Sequence, residues 1–126
     1  MTDQSFGKSS RLLKASEYKS VFDDAVLKIS NQHVLFLARP NGMPHSRLGL
    51  VIAKKNVRLA VQRNRIKRIV RESFRIHQGL PGIDIVVLAR RGLDLLDNPA
   101  LHTQLGQLLI QLQGKAKRKL NAADSR

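Results

Sequence analysis

The stretch from Lys54 to Arg75 carries nine Lys or Arg and one acid, yet its apolar residues fall at helical spacing. At about 100° per residue, a helix over 62–77 gathers Ile66, Ile69, Val70 and Phe74 into one stripe and turns Asn64, Arg68, Arg71 and Arg75 to the opposite side. Such a segment is stable if the stripe packs on the rest of the chain and the cations project into solvent. Outward cations at this density repel one another unless an anion lies among them. A merely solvated helix face would carry mixed charge, and this one is almost all of one sign.

The whole chain repeats that bias. Its 126 residues carry a formal net charge of +14, and a pI near 11.4 points to nucleic acid ahead of an anionic membrane. A guanidinium can grip a phosphate with two hydrogen bonds or stack on a base, and successive Arg and Lys can follow successive phosphates. No apolar run approaches the roughly 20 residues of a spanning helix. The start, Met1-Thr2-Asp3-Gln4-Ser5, has neither the basic opening nor the apolar stretch of a secretory signal, so a cytoplasmic location is expected. The absence of cysteine excludes disulfides, thiolate metal sites and a cysteine nucleophile. At 42% hydrophobic, the chain has material for one core and one domain.

Periodicity and turn residues order the elements. A polar arm through Ser10 precedes a short helix capped by Ser16 and ending near Ala25, with Tyr18, Val21 and Phe22 on one side. Strands are expected over 33–39, 48–53 and 83–89, with a short extra one over 27–29. The basic helix should stop at Gly79, before Pro81-Gly82. A last helix opens with Asn98 as cap and Pro99 at its first position, turns Leu101, Leu105, Leu108 and Leu112 inward, and stops at Gly114. The organisation expected is an arm over 1–10, one domain over 11–114 and a basic tail over 115–126. The fold class is α+β, helices packed on a sheet.

Catalytic groups are not arranged for work by the protein itself. The nine carboxylates are scattered, and His33, His45, His77 and His102 show no ligand spacing. Asp84, in the third strong strand, is expected to be a solvated acid at a strand edge, with magnesium binding from an RNA as the alternative. No glycine-rich phosphate loop is present.

The segment Lys54-Lys55 followed by Ala60-Val61-Gln62-Arg63-Asn64-Arg65-Ile66-Lys67-Arg68 closely resembles the signature of the bacterial ribonuclease P protein subunit, and the resemblance runs from Arg11-Leu12 through Arg90. It implies a four-stranded sheet in a fold like domain two of ribosomal protein S5, with a left-handed strand-helix-strand crossover that periodicity could not have shown. It also implies a protein that binds a large catalytic RNA and helps it remove the 5′ leader of precursor tRNA, the RNA carrying the hydrolysis with magnesium. Carried over by position, Arg63, Asn64, Arg65, Lys67, Arg68 and Arg71 face the catalytic RNA, and Tyr18, Phe22, Val34, Phe36, Val51 and Lys54 form the leader cleft.

The residues support part of that assignment. Val34 and Phe36 are two apart on a strand and share a face, so they can join Tyr18 and Phe22 as a floor for unpaired bases. Plain core packing is the competing explanation for each aromatic. The partners implied are the catalytic RNA and precursor tRNA, with no membrane and no DNA. A non-catalytic ribosomal or structured-RNA-binding protein is the alternative function. Two positions depart from the family pattern: Asn56-Val57-Arg58-Leu59 lacks a glycine common in that loop, and His33 replaces a frequent aromatic.

Overall fold

The computed structural model describes residues 10–77 and 79–124, with side chains through 119. Its elements are α1 (Ala15–Asp23), β1 (Leu27–Ser30), β2 (Val34–Pro40), β3 (Arg47–Val51), α2 (Ala60–Ile76), β4 (Ile83–Ala89) and α3 (Asn98–Asp124). The four strands form one sheet in the order β1-β2-β4-β3. β2 runs antiparallel to β1 and β4, whereas β3 and β4 are parallel. Parallel neighbours need a crossover, and α2 supplies it. The described residues therefore adopt the expected small α+β architecture, a mixed four-stranded sheet with three α-helices.

Strand alternation separates the sheet into two faces. Leu27, Val34, Phe36, Ala38, Leu48, Ile83, Ile85, Val87 and Ala89 are buried beneath α2 and α3. The α2 stripe of Ile66, Ile69, Val70 and Phe74 closes over them, with Phe36 and Phe74 ring centroids 6.0 Å apart. Leu37 and Val86 point to the other face, where Leu12, Val21 and the half-buried Tyr18, Leu35, Val51 and Leu88 gather. Among the described residues, Leu12 and α1 cover that second face, where Tyr18, Leu35, Val51 and Leu88 stay partly exposed.

Helix ends depart from expectation in three places. Lys14, not Ser16, precedes α1, and Glu17 does the capping: its Oε1 accepts the backbone amides of Leu13 at 2.8 Å and Lys14 at 2.9 Å. Asp97, not Asn98, caps α3, its Oδ1 accepting from the Ala100 amide at 3.0 Å. Gly114 does not stop α3, which continues to Asp124. A glycine costs a helix about 1 kcal/mol relative to alanine. Burial of Ala116 offsets this, together with two bonds from ammonium groups, Lys115 Nζ to the Lys28 carbonyl at 3.1 Å and Lys119 Nζ to the Val26 carbonyl at 3.0 Å. These lysines lie against β1, an edge strand, and help to shield that edge. α2 ends at Ile76, and Gly79 takes a φ of +98°, a left-handed conformation suited to glycine. The expected arm lies outside the described residues up to Ser9, as do residues 125 and 126 of the expected tail.

Gly49 ties α1 to the other edge strand, β3. A Cβ there would lie 2.6 Å from Cε2 of Tyr18, and the Tyr18 hydroxyl accepts from the Leu50 amide at 3.3 Å. The hydroxyl thus satisfies a strand amide. Gly49→Ala is expected to displace the ring and cost about 1–3 kcal/mol through overpacking. Because the chain has one tyrosine and no tryptophan, tyrosine emission reports this ring alone. An unchanged melt and an unchanged emission spectrum would show that the ring is not held on Gly49.

Candidate nucleic-acid interface

The outer side of α2 forms an open groove of about 440 Å³ lined by Asn64, Lys67, Arg68, Arg71, Glu72 and Arg75. Glu72, the only acid there, stands 3.6 Å from His102 Nε2. Positions three and four apart on a helix are neighbours, with Cβ atoms about 5–6 Å apart, so Arg68, Arg71 and Arg75 form a row of cations. Among the described residues, Lys67, Arg68 and Arg71 have no hydrogen-bond or ion-pair partner. Those three are open to an external anion.

Arg63 and Arg65 are committed elsewhere. Arg63 donates to the carbonyls of Val57 at 3.0 Å and Arg58 at 2.8 Å, holding the loop that enters α2. Arg65 donates to Gln62 Oε1 at 2.8 Å, Asn98 Oδ1 at 2.7 Å and the carbonyls of Asp94 and Leu96 at 3.1 and 2.9 Å. The six expected RNA-facing residues therefore divide: Asn64, Lys67, Arg68 and Arg71 line the open face, while Arg63 and Arg65 bind the protein's own backbone. A signal for this lay in the sequence. On a helical wheel Arg63 falls between Val70 and Phe74, about 20° from each, and Arg65 lies about 40° outside Ile69, so one stands within the buried stripe and the other at its border.

The expected floor of Tyr18, Phe22, Val34 and Phe36 does not form. Val34 and Phe36 are 0% exposed, on the sheet face beneath α2 and α3. Tyr18 belongs to the opposite face, with Leu35, Val51 and Leu88 beside it, and Phe22 on α1 is 44% exposed. Leu35 and Leu88 are thus the strand residues that the sequence reading missed. β2 and β4 are apolar at both parities, so alternation gave no sign of which set faced α1.

Beyond Val51, the Ala53 carbonyl accepts from the amides of Asn56 and Val57, each at 3.0 Å, and Val57 is fully buried. This turn needs no glycine and leaves Lys54 exposed at the end of β3. Asn56 Nδ2 donates to the Ala89 carbonyl at 2.9 Å, which brings the turn beside the end of β4. His33 has a structural role: its Nδ1 lies 3.3 Å from Gln104 Oε1, and its carbonyl accepts the Arg90 amide at 2.8 Å.

Asp84 is neither solvated nor at a sheet edge. It lies on β4, between β2 and β3, at 5% exposure. Arg47 grips it with two bonds, Nε to Oδ1 at 2.8 Å and NH2 to Oδ2 at 2.7 Å, and Asn41 Nδ2 donates to Oδ1 at 2.9 Å. The same guanidinium reaches Glu17 Oε2 at 2.8 Å. Backbone amides of Lys14 and Leu13, followed by Arg47, hold the Glu17 carboxyl below its ordinary pKa against a desolvation that opposes them. Hydrogen bonding to Asp84 raises Arg47 still higher.

Among the described residues, no three His, Asp or Glu come together as ligands for a metal ion, and no helix is long and apolar enough to cross a membrane. α2 follows a strand and a turn, so Arg63 is not preceded by the first helix of a helix-turn-helix unit. Fold and surface together define a small α+β protein whose basic helix carries unpaired cations, Lys67, Arg68 and Arg71, on its outer side.

Comparison with known proteins gives that class a family. Residues 6–113 match the family described as Ribonuclease P. The chain is 52% identical to the ribonuclease P protein component of Pseudomonas aeruginosa over 126 residues, 99% of this chain and 93% of the relative. It is 53% identical to that of Marinobacter nauticus over 110 residues, 87% and 83% of the two chains. The solved RNase P protein of Staphylococcus aureus superposes with a TM-score of 0.72 at 28% identity, covering 87% of this chain and 97% of that one. That of Thermotoga maritima superposes at 0.71 with 33% identity, covering 82% and 97%. The chain belongs to the bacterial ribonuclease P protein family, and so to a ribonucleoprotein of tRNA processing.

Proposed function

We propose that this chain holds the catalytic RNA of ribonuclease P on the outer face of α2 and the 5′ leader of precursor tRNA on the half-covered sheet face beside α1. The observation that carries the first half is the set of unpaired cations Lys67, Arg68 and Arg71 on a chain where Arg47, Arg63 and Arg65 are all engaged. Unpaired cations in a row favour a phosphate backbone, which gains by releasing its counterions. Phe22, Tyr18, Leu35 and Val51 offer the apolar surface on which unpaired bases stack, with Lys54 exposed beyond Val51.

Hydrolysis in this reading belongs to the RNA and its magnesium. Asp84, the buried carboxylate among the described residues, is not free to hold a magnesium ion, because both its oxygens are occupied by Arg47 and Asn41. What the protein supplies is neutralisation of RNA charge and a grip on the leader. Reconstitution tests the proposal: adding the chain to a bacterial ribonuclease P RNA should lower the magnesium needed to cleave precursor tRNA, and an unchanged requirement would overturn it.

Phe22 is the sharper probe of the leader surface, because Tyr18 also holds β3. Phe22→Ala should weaken holoenzyme binding to leader-bearing precursor tRNA about five-fold or more, since stacking contributes roughly 1–3 kcal/mol per base. Affinity for mature tRNA should stay the same. Equal losses for both RNAs, with the melt unchanged, would remove Phe22 from the leader surface.

A further inference from the structure

None of residues 60–65, which open α2, is buried. The buried residues of this helix are Ile66, Ile69, Val70 and Phe74, while Ala60, Val61 and Asn64 are exposed. Leu59, at the N-cap position, makes no side-chain capping bond, and no acid stands in the first turn. Beside the buried Val57 of the entering loop, polar bonds on the two flanks hold this end. Arg63 ties one flank to the entering loop, and Arg65 ties the other to the 94–98 segment.

We infer that Arg65 is a positioning residue for RNA binding: its clamp on Asp94, Leu96 and Asn98 holds the start of α2 in one rotation, so that Asn64, Lys67 and Arg68 meet the RNA together. The inference rests on the reading of the outer α2 face as the RNA surface and departs from the family-based expectation that Arg65 itself faces the RNA. A guanidinium is required because its fork reaches Gln62, Asn98 and two carbonyls at once. An ammonium at the end of a lysine has no such planar fork.

The test measures the affinity of the folded protein for an in vitro transcribed bacterial ribonuclease P RNA across a salt series. It uses Arg65→Ala, Arg65→Lys and Asn98→Ala, with Arg68→Ala as reference. Arg65→Ala and Arg65→Lys should both bind about ten-fold more weakly, the scale of losing charge-assisted hydrogen bonds, with an unchanged log-log salt slope. Asn98→Ala keeps every cation and changes an exposed residue, so it remains informative if Arg65→Ala fails to fold. It should lose affinity at constant slope, and add little on top of an Arg65 variant because the two act as one unit.

A slope reduced by about 0.7–0.9 in Arg65→Ala, with binding restored by lysine, would make Arg65 a phosphate contact and overturn the proposal. Unchanged affinity in folded Arg65→Lys and Asn98→Ala would make the clamp structural only, and overturn it equally. If Arg68→Ala changes neither affinity nor slope, the reading of the α2 face itself has failed, an outcome visible separately from the behaviour of Arg65.

Discussion

Replacing Arg47 with methionine is expected to destabilise the fold by about 3–5 kcal/mol, the cost of stranding a buried charge. Asp84 would then be left at 5% exposure with Asn41 as its remaining side-chain partner. For a domain of this size such a loss lowers the melting temperature by about 10–20 °C. The paired change Arg47→Met with Asp84→Leu should recover much of it, since removing both charges removes the desolvation cost that one alone incurs. A single variant that melts within about 2 °C of the parent would sink this account, because it lies outside the expected range.

The same network predicts a response to acid. Glu17 is held below its ordinary pKa in the folded chain by the amides of Lys14 and Leu13 and by Arg47. Its contribution is therefore complete above about pH 4.3, the ordinary glutamate value, and is lost as pH falls through the lower folded value. The acid limb of the stability curve of Glu17→Gln should be shallower than that of the parent, a difference that thermal melts between pH 5 and the acid transition can read.

The largest effect on binding should come from changing Lys67, Arg68 and Arg71 together to alanine. Three lost phosphate contacts reduce the log-log salt slope by about 2–3. Over the roughly 0.8 log units between 0.15 M and 1 M salt this amounts to about 100-fold in affinity at physiological salt. The melt should move little, because none of the three bonds to another described residue, Arg68 and Arg71 lie off the Ile66-Ile69-Val70-Phe74 stripe, and Lys67 stands only at its border beside Phe74. A loss of affinity without a change of slope would show that the face acts through shape rather than through phosphate contacts.

Much of this was legible in the sequence where a segment has only one way to bury itself. The α2 stripe is buried as its spacing requires, β4 occupies the expected residues 83–89, and the inward leucines of α3 all lie in the core. The groove residues Asn64, Arg68, Arg71 and Arg75 lie opposite that stripe for the same reason. The strand residues beside α1 were not legible. Val34 and Phe36 satisfy the same alternation rule as Leu35 and Leu37, and a strand covered on both sides carries no polar face to break the tie.

Local sequence, then, determined the helices, the strands, the outward row of cations and the family, because periodicity and motif spacing act over a few residues. Tertiary structure alone decided what the chain brings together from afar. The carbonyls that engage Arg65 come from a segment about thirty positions downstream, those that engage Lys115 and Lys119 lie about ninety positions upstream, and Asp84 meets Arg47 only because β3 and β4 are neighbours. Which arginines remain open to RNA is the outcome of that competition. A cation binds whichever oxygen the fold carries within reach, and only those the fold leaves unmatched turn to an external phosphate.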